Sequence, residues 1–194
     1  MVVVGITGNI ATGKSTVMEM LAQRGALTID ADELVHQLLD ADPAVRRQVV
    51  ARFGPEVGTD RARLGAVVFH APAAMRDLER ILHPRVAKCV NELVARSDAS
   101  VAVVEAIKLL ESDLRPRCRS IWVTTCTQEQ QIQRLMDGRK ITRPDALARI
   151  QSQSSQAEKV AQADVVIDTS GSLEQTELQV EQAWRNIQKI EAMA

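Results

Sequence analysis

A chain of 194 residues that is 45% hydrophobic and 25% charged has the balance of a soluble globular protein, long enough for one substantial core. Its formal net charge of -1 excludes the broad basic face that non-specific nucleic-acid binding needs, so any positive patch must be local. Cys89, Cys118 and Cys126 lack a C-x-x-C spacing and suggest neither a disulfide framework nor a zinc site, but buried free thiols in a reducing compartment. No run of about 18 apolar residues occurs, and the N-terminus leads directly into a strand pattern, so a cytoplasmic protein without a membrane partner is expected.

The first element, Val2-Val3-Val4-Gly5-Ile6, is a short β-branched run suited to a buried strand. It opens onto Gly8-Asn9-Ile10-Ala11-Thr12-Gly13-Lys14-Ser15, followed by Thr16, which fits G-x-x-x-x-G-K-[ST] at every position. Val17, Met18, Leu21 and Ala22 then share one helical face. The residue types suit a bound triphosphate. Glycine at 8 and 13 lets backbone N–H groups turn inward as an anion nest, and the helix N-terminus adds the positive end of its dipole. Lys14 supplies a full charge to the β- and γ-phosphates, and the Ser15 hydroxyl is the expected Mg²⁺ ligand.

Arg24-Gly25 closes this helix, and Leu27-Thr28-Ile29 forms a second strand ending at Asp30-Ala31-Asp32. A carboxylate just past such a strand lies on the edge where α/β sheets bind ligands. It can accept the proton of an attacking hydroxyl or help order Mg²⁺, and either aspartate can equally cap the helix that follows; position favours Asp32 as the functional one. Residues 31 to 98 show no convincing strand. Leu34 to Leu39, Val45 to Phe53, Leu64 to Val68 and a long pattern from about Pro72 to Ala95 read as a helical insert. Its Arg61, Arg63, Arg76, Arg80, Arg85 and Lys88 offer a basic surface to an anion, or simply a solvated face. His83-Pro84 interrupts this long pattern, which is expected to put a kink in the helix; His83 suits a substrate donor and a structural histidine equally.

Val101 to Val104, ending at Glu105, and Ile121 to Thr124 supply the third and fourth strands, alternating with helices as in a parallel α/β sheet. Glu111 between them reads on its own as a surface residue. From Gln128 onward an arginine-rich helix pair carries Arg134, Arg139, Lys140, Arg143 and Arg149, with Thr142 and Asp145 starting its second helix. Such a pair suits a lid whose arginines stabilise a transferring phosphoryl group and exclude water. Val165-Val166-Ile167 is the fifth strand, and a Ser172–Gln175 capping box opens the last helix.

These residues, taken together, resemble the dephospho-CoA kinase family. The likeness is carried by Gly5 through Val17, Asp30-Ala31-Asp32, Asp60-Arg61 with Leu64-Gly65 and Phe69, and Leu82-His83-Pro84. It continues through Leu109-Leu110-Glu111, Arg134-Leu135-Met136, Arg149-Ile150 with Gln153, and Ala163-Asp164 to Asp168 with Ser170-Gly171. The resemblance implies a P-loop α/β/α fold with a five-stranded parallel sheet. Within one domain it implies core segments at about 1–33, 99–126 and 160–194, an acceptor-binding insert at about 34–98 and a lid at about 127–159. It implies ATP and dephospho-CoA as substrates, Mg²⁺, and a monomer or small homo-oligomer. Asp32 corresponds to the family's candidate general base, Lys14 and Ser15 to its phosphate and metal ligands, and Arg139 to its lid arginine. Arg61, His83 and Glu111 correspond to acceptor-site positions, and Ser170-Gly171 to the surroundings of adenine. Two departures stand out: Ile107-Lys108 where a proline-led apolar segment is common, and Thr169 where asparagine is frequent. The rival readings are another small-molecule P-loop kinase acting on shikimate, gluconate or a nucleotide, and a non-catalytic ATP sensor. The absence of N-K-x-D disfavours a GTPase.

Overall fold

The computed structural model describes residues 1–192, so Met193 and Ala194 at the end of the expected 160–194 segment lie outside the described residues. The chain divides into two compact units, one made of Met1–Ile29 and the chain from Ser97 on, the other of Asp30–Arg96. The first carries the sheet: β1 (Val2–Thr7), β2 (Leu27–Asp30), β3 (Val101–Glu105), β4 (Ser120–Thr125) and β5 (Val165–Asp168), in the spatial order β2-β3-β1-β4-β5. β1 lies at the centre and pairs in parallel with β3 and with β4, and β4 pairs in parallel with β5. The loop after β1 therefore emerges where the chain's path diverges to either side, the crevice at which open parallel sheets receive ligands.

Burial explains the β-branched runs. Val101, Ala102, Val103 and Val104 are all at most 1% exposed, as a strand covered on both faces requires. Alternate residues of β1 face opposite ways. Val2, Val4 and Ile6 join a core with Val17 and Leu21 of α1 (Lys14–Gln23), Trp122 of β4, and Val180, Trp184 and Ile187 of the long C-terminal helix Leu173–Ala192. Gly5 faces Leu109, Cys118 and Ile121 on the other side. Each fully buried aliphatic side chain contributes about 1.5–3 kcal/mol relative to exposure.

The second unit is helical: α2 (Ala31–Ala41), α3 (Pro43–Phe53), α4 (Pro55–Gly58), α5 (Arg61–His70) and α6 (Pro72–Ala95). Asp30, Asp42 and Asp60 cap α2, α3 and α5 by accepting from backbone N–H groups of the first turn. α6 runs through Pro84 as one helix, with Leu78, Leu82, Val86 and Val90 buried along it. The apolar stripe on both sides of the proline outweighs one missing backbone bond.

After β4 come α7 (Gln128–Arg139), α8 (Arg143–Gln151), α9 (Gln156–Ala161) and, after β5, α10 (Leu173–Ala192). Thr127 and Thr142 cap α7 and α8, and Ser172 and Gln175 exchange the bonds of a capping box. α7 and α8 share a small core of Ile132, Leu135, Ala146 and Ile150, with Ile10 and Ala11 of the glycine loop packed against it. The three cysteines are free thiols, Cys118 buried and the other two half-buried. No helix among the described residues is long and apolar enough to cross a membrane.

Candidate active site

The loop between β1 and α1 takes its shape from residues at its bends. Gly8 has φ +147° and Gly13 φ +87°, both unfavourable to a side chain. A Cβ on Gly8 would lie 2.6 Å from the Thr124 carbonyl oxygen, and one on Gly13 would lie 2.9 Å from the Thr169 methyl. Gly13 is also the N-cap of α1 and brings no side chain to the first-turn amides, which suits them to an anion.

Beside the loop lies a cleft of about 680 Å³, lined among others by Gly13, Lys14, Ser15, Thr16, Glu105 and Arg139. Ile10, Ala11, Arg134, Thr169 and Gly171 complete the parts of the wall that matter here. Lys14 is 8% exposed, and its ammonium donates to the carbonyls of Gly8 (3.0 Å) and Asn9 (3.3 Å) and lies 3.8 Å from Oε1 of Glu105. Ser15 and Glu105 present hard oxygen donors to the same cleft, the ligand chemistry that Mg²⁺ prefers. Glu105 was not among the sequence's site residues. Its signal was an acid closing a wholly buried strand next to β1.

The expected nucleotide residues are not equivalent. Asn9 and Ile10 turn their N–H groups away to the amide oxygens of Gln156 (2.9 Å) and Gln153 (2.6 Å), so they shape the loop rather than donate to phosphate. The Thr12 hydroxyl is buried against Thr124 Oγ1 at 2.7 Å. Gly171 lines the cleft, whereas the amide and hydroxyl of Ser170 both donate to Asp168, whose carboxyl they hold below its usual range. Arg139 is an exposed member of the lining at the end of α7.

Thr169 ties the turn after β5 to the loop. Its hydroxyl lies 3.0 Å from the Thr12 carbonyl and accepts from Arg134 at 2.9 Å, while Arg134 also donates to the carbonyls of Thr169 (2.6 Å) and Ala11 (3.1 Å). Cys126 lies beneath this cluster, and burial pushes its thiol pKa up against the opposing charge of Arg134. The other departure, Lys108, is exposed at the start of a 3₁₀ turn, Leu109–Glu111. Glu111 is exposed at the end of that turn.

In the helical unit, Asp30 takes the capping role, accepting from the N–H groups of Asp32 (2.9 Å) and Glu33 (3.0 Å). Asp32 is half-buried in the first turn of α2, two residues beyond the end of β2. Arg61 pairs with Asp40 at 2.9 Å, and both line a small hollow of about 100 Å³ with Arg46 and Thr59. His83 is half-buried on α6.

Residues 2–175 match the family model described as Dephospho-CoA kinase. A dephospho-CoA kinase of Synechocystis sp. is 38% identical over 94% of this chain and 94% of its own, and one of Symbiobacterium thermophilum is 41% identical over 94% and 80%. A Thermus thermophilus crystal structure superposes with a TM-score of 0.81 at 28% identity, over 97% of this chain and 96% of the other. The dephospho-CoA kinase of Campylobacter jejuni gives 0.58 at 26% identity, over 95% and 96%. A shikimate kinase of Acinetobacter baumannii, 16% identical with a TM-score of 0.55 over 97% and 94%, shares the fold alone.

Proposed function

The chain belongs to the dephospho-CoA kinase family, and from that premise we propose how its residues carry out the family's reaction. The activity is ATP-dependent phosphorylation of the 3′-hydroxyl of dephospho-CoA, giving coenzyme A and ADP in the last step of coenzyme A synthesis. The observation that carries the site reading is the single cleft wall that combines the glycine loop, the uncapped start of α1, Lys14, Ser15 and Glu105. Amides and a cation converge there as a nucleotide triphosphate requires.

In this reading ATP lies along the cleft with adenine toward Thr169 and Gly171 and its phosphates over Gly13, Lys14, Ser15 and Thr16. Ser15 and Glu105 would hold Mg²⁺, directly or through water; the ion, when bound, neutralises charge shared between the β- and γ-phosphates. Lys14 follows the γ-phosphoryl group through in-line transfer, and Arg139 adds charge from α7. Asp32 accepts the proton of the attacking hydroxyl. Arg61, His83 and Glu111 are the proposed acceptor contacts. A cytoplasmic monomer or small homo-oligomer, without nucleic-acid or membrane partner, completes the proposal.

The test is Mg²⁺-dependent ADP release from ATP with and without dephospho-CoA, beside shikimate, gluconate and a nucleoside monophosphate. Release that requires dephospho-CoA, with coenzyme A formed in equal amount, is the expected result. Folded, ATP-binding protein that ignored dephospho-CoA would overturn the acceptor assignment, and binding without turnover of any acceptor would point to a sensor.

A further inference from the structure

Asn9 opens the bend of the phosphate loop, and each of its polar groups is engaged. Its N–H donates to Gln156 Oε1 (2.9 Å) and its side-chain amide to the Ser154 carbonyl (3.1 Å), while Oδ1 accepts from Lys159 Nζ at 2.8 Å. Its carbonyl accepts from the Thr12 hydroxyl (2.8 Å) and from Lys14. Ile10 is held on both sides, its N–H by Gln153 (2.6 Å) and its carbonyl by the Gln131 amide (2.7 Å). The next residue, Ala11, has φ +61°, a left-handed conformation unfavourable to alanine that persists only where its surroundings impose it.

Lys159 is the one charged side chain anchoring Asn9 from α9. It is 2% exposed, and its ammonium makes a second, longer bond to the Ile107 carbonyl (3.4 Å), which also accepts from the Thr7 hydroxyl (3.1 Å). One side chain of α9 thus joins the phosphate loop to the loop after β3. A buried ammonium stays charged at a cost that only well-formed hydrogen bonds offset, so these bonds resist rearrangement. Burial lowers its pKa, with Glu111 opposing that shift and Lys14 adding to it.

We propose that Lys159, with Gln153 and Gln156, is a positioning residue for the phosphates of ATP: by fixing Asn9 and Ile10 it imposes the left-handed turn at Ala11 that aims the following amides at the anion. None of the three side chains is assigned a contact with the nucleotide. Removing them therefore weakens phosphate binding through the loop and leaves the adenine end, built by Thr169 and Gly171, as it was.

This inference rests on the reading of the cleft as an ATP site, and the experiment separates the two. Displacement of a fluorescent ADP analogue is measured with ATP, ADP and adenosine for wild type, Lys159→Met, Lys159→Arg and Gln156→Ala, with melting temperatures taken in parallel. Lys159→Met is expected to raise the dissociation constants of ATP and ADP about tenfold and leave that of adenosine unchanged. Lys159→Arg is expected to recover most of the loss, and in an Asn9→Ala background Lys159→Met is expected to add less than about a twofold further loss. Unchanged ATP affinity in folded Lys159→Met, or an equal loss for adenosine, would overturn the proposal. Should Lys159→Met not fold, Gln156→Ala is judged by the same two criteria. Failure of wild type to bind ATP would instead refute the site itself.

Discussion

The phosphate loop and the helical unit are held by hydrogen bonds of different kinds. Around the loop, Gln153, Gln131 and Arg134 reach across 143, 121 and 123 positions of sequence to the backbone of Ile10 and Ala11. In Asp30–Arg96 the side-chain bonds are largely local caps by Asp30, Asp42 and Asp60 and exposed ion pairs such as Arg61–Asp40 and Arg63–Glu56. A partly buried backbone group that loses its partner keeps a share of its desolvation cost, whereas an exposed pair is replaced by water with little loss. The loop is therefore restricted to one geometry, and the surface of the helical unit tolerates change.

The sharpest way to break that comparison is to keep the loop and remove its charge. Lys14→Met leaves Gly8 and Gly13 in place but takes away the ammonium bonded to the Gly8 and Asn9 carbonyls. Turnover is expected to fall at least about a thousandfold, as when a preorganised contact to transition-state charge is lost, with a smaller loss in ATP affinity. Steady-state kinetics beside nucleotide titration checks this; a loss confined to affinity would mean that Lys14 binds ATP without assisting transfer.

The next prediction crosses to the helical unit. Asp32→Asn preserves size and leaves the cap formed by Asp30 untouched. A general base contributes about 10²–10⁴-fold, so turnover is expected to fall within that range while ATP binding stays near wild type. Equal losses in turnover and ATP binding would make Asp32 a structural residue.

The same contrast explains what the sequence disclosed. The loop was legible because φ +147° and +87° demand glycine and a phosphate demands lysine, so its geometry leaves a footprint in eight consecutive residues. The strands were legible because Val101 to Val104 must be apolar on both faces. The clamp of Gln131, Gln153, Gln156 and Lys159 was not, since a side chain bonding to backbone far along the chain imposes no local period. Gln153 entered only through the family resemblance, and Lys159 not at all. That α6 continues past Pro84 has a related cause: the proline acts locally, while the burial of Leu82 and Val86 on either side of it is tertiary.

The smallest effect is expected where the helical unit looks best bonded. Arg52 donates to Asp77 at 2.6 Å, and Arg80 adds a second bond at 2.8 Å. The Arg52 bond, before any other cause, holds the Asp77 carboxyl below its ordinary value of 3.8. A carboxyl whose folded pKa is depressed adds stability above its unfolded pKa and loses it as pH falls through the folded value. Yet Arg52 is 51% exposed on its side chain, and such pairs are weak. Arg52→Ala is accordingly expected to lower the melting temperature by no more than about 3 °C at neutral pH. The difference from wild type should then shrink in urea titrations carried below pH 3.8, the ordinary value for Asp77. Arg52 also lies over the Phe53 ring, 5.2 Å from its centroid, a contact indifferent to the protonation of Asp77. A difference that persisted at low pH would assign the stabilisation to the ring instead of the carboxylate. A loss well above 3 °C would show that this surface is as tightly specified as the loop, and the contrast between the two regions would fail.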